Sequence, residues 1–396
     1  MSCEKTCARN CFHHLNKERI ESLAERVPVQ FRECLVVAIP EKIRRFQFFE
    51  ERQEAWLQKV QGGGSLRSVA FFTHPYEDII SVENLLEAWK EFVCGKRKKK
   101  DVQEFQYRLM DNVLALHRDL AAKTYTHGPY HAFNVSDPKP RNIHKATVRD
   151  RLLHHALYRK LYPFFDRTFI ADSYSCRKGK GTHRAMNRFR KFAYQVSRNH
   201  TRTCWVLKCD IRRFFASIDQ ATLMRILARR ITNQRILWLF ERVISSFHSI
   251  APGKGLPLGN LTSQLLVNIY MNELDQFVKH RLKAEYYIRY ADDFVFLSHD
   301  RATLAVLLPR IHDFLLGRLQ LKLHPDKISV RTLAAGIDFL GWVHFPDHRV
   351  LRTTTKRRMF ARLRGERNDA CAQSYLGLLS HGNTRKLREI VRTSSK

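Results

Sequence analysis

The chain lacks an apolar run long enough to cross a membrane, and it lacks a charged-then-apolar start of the kind that directs secretion. Its nine cysteines are scattered, odd in number and without a CxxC pair, which argues against a disulfide framework. It also has no internal repeat and no low-complexity tract. These absences predict a folded, cytoplasmic protein with reduced thiols and exclude the membrane-spanning, disulfide-rich and fibrous classes.

Acidic residues are scarce beside basic ones. The 396 residues include 38 Asp and Glu against 70 Lys and Arg, which gives a formal net charge of +32. Basic residues recur at 96–100, between 141 and 198, and from 349 onward, where 13 basic residues face three acidic ones. An excess spread along the chain in this way favours an extended nucleic-acid track over a single basic tail.

The glycines at 62–64 indicate a flexible boundary, so residues 1–64 are predicted to form a separate helical extension. Within this extension Cys3, Cys7 and Cys11 recur every four residues. That spacing places three thiols on one helical face, but it is not the usual spacing of a zinc site. An extension without a metal is therefore the favoured interpretation.

Beyond the extension, helical patterns alternate with short strands. Ser81 can cap a helix whose apolar residues Leu85, Trp89 and Phe92 recur at helical spacing, and a second helical stretch is predicted at about 102–122. Further helices are predicted at 147–165, 220–247 and 260–280, and a buried-type strand at 203–209. Hydrophobic content of 44% and aromatic content of 11% agree with a folded core.

Two adjacent carboxylates, Asp292 and Asp293, are flanked by strand-forming residues over 286–297, a pattern that predicts a β-hairpin with the pair at its tip. Paired carboxylates repel each other and are costly to desolvate, and a divalent cation resolves that conflict. Asp210 ends the strand at 203–209, and convergence of all three would complete a two-metal site for phosphoryl transfer. An ordinary acidic turn, with Asp210 as a strand-end cap, is the alternative.

These segments resemble, in chain order, the catalytic motifs of reverse transcriptases. Asp210 with Phe214-Phe215 resembles motif A, residues 255–264 resemble motif B, and Tyr290-Ala291-Asp292-Asp293 resembles motif C. Four further segments resemble the fingers hairpin, the next fingers helix, the basic loop after it and the primer-grip hairpin: 138–141, 149–151, 173–183 and 339–342. The resemblance covers about residues 75 to 350.

The resemblance implies an α+β fold of the right-hand polymerase type. Its fingers and the helices before them would lie in 65–205, its palm in 206–345 and a basic helical thumb in 346–396. It also implies RNA-directed DNA polymerase activity on an RNA template with a DNA or RNA primer and deoxynucleoside triphosphates (dNTPs).

The resemblance implies roles for individual residues as well. Asp210, Asp292 and Asp293, with the carbonyl of Ile211, would hold two Mg²⁺ ions, and Mn²⁺ could substitute. A second set would bind the dNTP, with Phe215 blocking a ribose 2′-hydroxyl: Lys139, Arg141, Phe215, Gln264 and Lys327. A third set would bind primer or template: Arg177, Lys178, Lys180, Phe339, Leu340, Gly341, Trp342, Lys356, Arg357 and Arg358. Core packing is the alternative for Phe215, and a solvated turn is the alternative for Lys327.

The run from Leu258 to Gln264 points to a subclass. An aliphatic residue, Gly259, three residues and Ser263-Gln264 resemble the error-prone enzymes of diversity-generating retroelements, which can require a small basic accessory protein. Leu258 and Gln264 are therefore fidelity candidates, with ordinary helix packing as the alternative.

Other functions stay open. One is a group II-intron-like or free-standing bacterial reverse transcriptase with a defence or other host role. Another is a non-catalytic RNA-binding splicing helper, which the three carboxylates argue against.

Overall fold

The computed structural model describes residues 70–136, 140–365 and 369–394. The predicted extension at 1–64, its cysteine repeat and Lys139 lie outside the described residues. Phe71–Lys396 form one compact unit.

In the described part, four helices precede the first strand: α1 (Tyr76–Ile80), α2 (Val82–Val93), α3 (Lys100–Tyr107) and α4 (Leu109–Ala121). Helix α2 begins as predicted, because the Ser81 side chain accepts a hydrogen bond from the Asn84 amide. Its buried face includes Leu85, Trp89 and Phe92. The second helical stretch predicted at about 102–122 is confirmed, and Arg108, with φ −118° and ψ 46°, divides it into α3 and α4.

A β-hairpin and two long helices follow. The hairpin pairs β1 (His131–Val135) with β2 (Arg141–Lys145). Helices α5 (Val148–Asp166) and α6 (Thr182–Val196) come next. The Thr147 side chain accepts a hydrogen bond from the Asp150 amide and so caps α5, which confirms the helix predicted at 147–165.

The central sheet has four antiparallel strands in the order β4-β5-β3-β6. Its strands are β3 (Trp205–Asp210), β4 (Tyr287–Tyr290), β5 (Asp293–Ser298) and β6 (Ser329–Thr332). Between β3 and β4 lie α7 (Phe214–Ser217), α8 (Gln220–Ala228), α9 (Gln234–Ser245) and α10 (Leu261–Gln276), which continues into a π-helical turn, Phe277–Arg281. Helix α11 (Arg301–Leu319) and a 3₁₀ turn, Pro325–Lys327, connect β5 to β6.

Strands β3, β4 and β5 are mostly buried, which agrees with their apolar central residues, whereas β6 is only partly buried and mostly polar. Successive strand residues point to opposite faces, so alternate residues enter different cores. Leu207, Phe294 and Phe296 belong to the core that includes α5 and α10, whereas Val206 and Val295 pack with α6. The central sheet is therefore held from both sides, and the ends of its strands are fixed in place.

After a short 3₁₀ turn, Leu333–Ala335, a second sheet forms from β7 (Ile337–Phe339), β8 (Trp342–His344) and β9 (Arg349–Leu351). Leu340 and Gly341 make the two-residue tip between β7 and β8, with φ values of 53° and 86° that suit a hairpin turn. Helices α12 (Thr353–Gly365), α13 (Asp369–Leu379) and α14 (Arg385–Ser394) follow. Their core is built around Trp342.

The predicted α+β class is confirmed, because antiparallel sheets are flanked by helices and a helical segment ends the described chain. In the described ranges no helix combines the length and the apolar character that a membrane span requires. The domain limits suggested at 205 and 345 stay predictions.

Candidate active site

The backbone brings the three predicted carboxylates to one edge of the central sheet. Asp210, the last residue of β3, is the cross-strand partner of Asp293, the first residue of β5. Asp292 lies in the turn between β4 and β5, and its carbonyl accepts a hydrogen bond from the Ile211 amide at 3.2 Å. The convergence that the sequence could only suggest is therefore present in the fold.

The electrostatics of this edge are those of crowded negative charge. The pKa of the Asp293 carboxyl is raised to about 6, chiefly by burial and also by the charges of Asp210 and Asp292, while Lys208 opposes the shift. Burial and then the Asp210 charge also raise the pKa of Asp292, against the charges of Lys327 and Arg141. Oδ1 of Asp293 is buried without a hydrogen-bond partner. This edge of the sheet would be stabilised by added positive charge.

Two lysines contact these carboxylates directly. Lys327 donates to Oδ1 of Asp210 at 2.7 Å. The Lys208 ammonium lies 3.4 Å from Oδ2 of Asp293 and donates to the Asp338 carbonyl at 2.6 Å. Lys208 was not among the predicted site residues, although its position two residues before Asp210 on a strand places both side chains on one face.

The donor set fits hard divalent cations, which take carboxylate and carbonyl oxygens. The orphaned Oδ1 of Asp293 and the raised carboxyl pKa values are the observations that support the fit. The described residues do not, however, contain three or more His, Cys, Asp or Glu side chains already arranged around a metal position. Lys327 and Lys208 pair with one oxygen each of Asp210 and Asp293 in this structure.

The segment that resembles motif A continues into α7, where its two phenylalanines differ in burial. Phe214 is buried in the core and Phe215 is half-buried. The Phe215 carbonyl accepts a hydrogen bond from the Leu256 amide at 2.9 Å. This bond joins α7 to residues 253–259, the glycine-rich segment before α10. Phe214 is therefore a core residue, whereas Phe215 packs against that core and is only partly buried.

The β1–β2 hairpin contacts that same segment. The His144 amide donates to the Leu258 carbonyl at 3.0 Å, and the Asn260 side chain donates to the His144 carbonyl at 2.8 Å. Arg141 is exposed at the start of β2, and its charge reaches Asp292. The two fidelity candidates, Leu258 and Gln264, are both half-buried.

Comparison with known proteins identifies the family. A family model described as reverse transcriptase (RNA-dependent DNA polymerase) matches residues 135–344, more than half of the chain. The chain belongs to the reverse transcriptase family. Its α+β architecture is accordingly the right-hand polymerase fold of that family.

The individual relatives of this chain are distant in sequence. Protein YkfC of Escherichia coli is 27% identical over 259 residues, covering 56% of this chain and 66% of the relative. The group II intron-encoded protein LtrA of Lactococcus lactis is 22% identical over 289 residues, covering 56% and 46%. Apo telomerase of Candida tropicalis, truncated from its C-terminal domain, has a TM-score of 0.45 at 12% identity, covering 58% and 55%. The chain thus spans less than two thirds of the length of each.

Three residues predicted to contact nucleic acid have side chains that the fold largely encloses. Arg177 is an internal residue, since its guanidinium donates to Asp166 and to the carbonyls of Ile170 and Ser173. Phe339 and Trp342 are 0% and 1% exposed, so they support the β7–β8 hairpin without reaching a ligand.

The other predicted contacts lie at or near the surface. Lys178 is exposed, and Lys180 is half-buried with its ammonium bonded to the Ala171 carbonyl at 2.8 Å. Lys356 and Arg357 are exposed on α12, whereas Arg358 is half-buried. Leu340 and Gly341 form the hairpin tip and are half-buried. Their predicted roles stay predictions.

Proposed function

We propose that this protein is an RNA-directed DNA polymerase that copies an RNA template into cDNA. The observation that carries the proposal is the pairing of Asp210 with Asp293 beside the Asp292 turn, in a chain of the reverse transcriptase family. RNA template, DNA or RNA primer and dNTPs are the proposed partners, and the net charge of +32 suits such polyanions.

Asp210, Asp292 and Asp293, with the Ile211 carbonyl, would hold two Mg²⁺ ions, for which Mn²⁺ could substitute. Such ions, when bound, activate the attacking primer 3′-hydroxyl and stabilise the charge that develops on the leaving pyrophosphate. The protein itself binds and orients the reactants. Arg141, with Lys139 as a further prediction, would neutralise the triphosphate, and Lys327 would lie near its leaving end.

The first test compares primer extension on an RNA template by the wild type, Asp292→Asn and Asp293→Asn. Asparagine keeps the shape of the side chain but removes its charge, so we expect extension to fall at least about 100-fold. Asp313→Asn is the matched control, because that carboxylate is 81% exposed on α11. Equal extension by all four proteins would refute the catalytic assignment and leave an RNA-binding function.

We further propose the subclass of diversity-generating retroelements, in which mutagenic copying is assisted by a small basic accessory protein. The run from Leu258 to Gln264 supports it, and the half-buried Leu258 and Gln264 would influence how firmly the nascent base pair is held. A group II-intron-like or free-standing bacterial enzyme is the alternative, favoured by the similarity to LtrA.

Sequencing the cDNA separates these subclasses. We expect errors concentrated opposite template adenines, and we expect Gln264→Ala to change their frequency. Errors spread evenly over the four template bases would remove the retroelement subclass while leaving the polymerase assignment intact.

A further inference from the structure

A fully buried charged residue lies directly beneath the carboxylate turn. Arg289, on β4, has an exposure of 0%, and so does Asp275, on α10. Their side chains form a forked pair, with Nε donating to Oδ1 at 2.8 Å and Nη2 donating to Oδ2 at 2.7 Å. Burying such a pair costs several kcal/mol of desolvation per ion, and well-packed apolar residues often stabilise a core equally well. Stability alone therefore does not explain why charge is placed here.

The remaining donors of Arg289 reach beyond Asp275. Nη1 donates to the Ala291 carbonyl at 3.2 Å and to Oδ1 of Asn268 at 3.3 Å, and Nη2 donates to the Ser173 hydroxyl at 3.0 Å. All five N–H groups of the guanidinium thus have an acceptor. Such a satisfied network specifies one arrangement of its members.

The contact with Ala291 bears directly on the carboxylates, since Ala291 is the residue immediately before Asp292. It adopts φ 56°, a left-handed conformation that costs a non-glycine residue free energy. The bond from Arg289 holds the carbonyl of this strained residue, and with it the peptide that carries Asp292. An apolar pair at 275 and 289 could fill the same volume but could not make this bond.

The network also joins the turn to two other segments. Asn268 donates to the Ser175 carbonyl at 2.9 Å and to the Gln264 carbonyl at 3.3 Å. The Tyr287 hydroxyl donates to Oδ1 of Asp275 at 2.8 Å. Arg289 therefore lies where the carboxylate turn, helix α10 and the loop before α6 meet.

We propose that Arg289, held by Asp275, is a positioning residue that sets the Ala291–Asp292 peptide and thereby orients the Asp292 and Asp293 carboxylates for cation binding. This inference rests on the proposed function. It assigns Arg289 no contact with substrate.

The central test is the double variant Arg289→Met/Asp275→Leu, which removes both buried charges and keeps the volume apolar. Arg289→Lys is the second variant, because its ammonium keeps the charge opposite Asp275 but cannot reproduce the five-donor fork. Arg188→Lys is the matched control: Arg188 also forms a two-point pair with an aspartate, Asp172, yet it does not contact the turn.

For each protein we measure the melting temperature, kcat, and the Kd for primer–template by fluorescence anisotropy. We also measure, by electron paramagnetic resonance, the affinity for Mn²⁺ of the protein bound to primer–template. For the double variant and Arg289→Lys we expect kcat to fall roughly 10- to 100-fold, because small displacements of reacting groups cost rates of that order. We expect Mn²⁺ binding to weaken several-fold and the primer–template Kd to stay within about twofold of wild type.

The outcomes separate the two proposals. A folded double variant with wild-type kcat and Mn²⁺ affinity would show that the network serves stability alone and would overturn this inference. If the double variant does not fold, the same comparison of kcat and Mn²⁺ affinity with wild type is made for Arg289→Lys. An inactive wild type would instead refute the proposed polymerase function.

Discussion

At the scale of single residues, the environment of a side chain separates residues of identical type. Arg141 is exposed and its charge reaches Asp292, whereas the Arg177 side chain is only 6% exposed and is bonded to Asp166. Phe214 is buried, whereas its neighbour Phe215 is half-buried. Only a side chain that is partly solvent-exposed near the carboxylates can contact a substrate there.

Phe215→Ala tests the sugar-selection role at this scale. Because a bulky ring excludes a 2′-hydroxyl by contact, its removal should raise incorporation of ribonucleotides relative to deoxynucleotides by roughly 10- to 100-fold. Competition assays with paired nucleotides on one RNA template measure this ratio. Phe164→Ala, at a half-buried ring on α5, should leave the ratio unchanged. An active Phe215→Ala enzyme with wild-type selectivity would assign the ring to packing only.

At the scale of elements, the β1–β2 hairpin depends on one glycine. Gly259 adopts φ 107°, and a Cβ placed on it would lie 2.7 Å from Cγ2 of Ile143, on β2. The neighbouring Leu258 carbonyl bonds to His144 of the same strand. Backbone conformation and close approach together require glycine at this position.

Gly259→Ala should therefore displace the hairpin that carries Arg141. We expect the KM for dNTP to rise several-fold and the free energy of unfolding to fall by about 1–3 kcal/mol. Gly317→Ala is the control. This glycine lies in α11, and a Cβ placed on it would meet open space beyond the helix itself, so alanine should stabilise the protein by about 0.5–1 kcal/mol. Urea unfolding and steady-state kinetics check both. An unchanged KM in Gly259→Ala would separate the hairpin from dNTP binding.

At the scale of the whole molecule, positive charge is the dominant property. With a net charge of +32, primer–template affinity should fall steeply with salt, since each neutralised phosphate releases counterions. The exposed Lys356 and Arg357 on α12 are proposed to take part.

Lys356→Ala/Arg357→Ala should lower the slope of log K against log salt by roughly 1.4–1.8, the value for two lost phosphate contacts. Lys90→Ala should change it little, because Lys90 is paired with Glu87 at 2.6 Å. Anisotropy titrations at several salt concentrations measure both slopes. A double variant with the wild-type slope would place the nucleic acid elsewhere.

How well a feature could be predicted depends on how far apart in the sequence its contacting residues lie. The carboxylate hairpin was predictable because its strands and turn are contiguous, as was α2, whose cap and apolar spacing are local. The break at Arg108 was not, since no glycine or proline marks it. Lys208 and Arg289 were missed because their partners, Asp293 and Asp275, come from other elements.

Three carboxylates, a strong basic excess and ordered motifs can be recognised without a fold, and they already indicate the available chemistry and the family. Only the three-dimensional arrangement shows that Asp210 meets Asp293, that the Arg177 and Trp342 side chains are enclosed, and that Arg289 lies beneath Ala291. Periodicity and capping act within a few residues, whereas the cost of burying a charge depends on the partner that the fold brings to it.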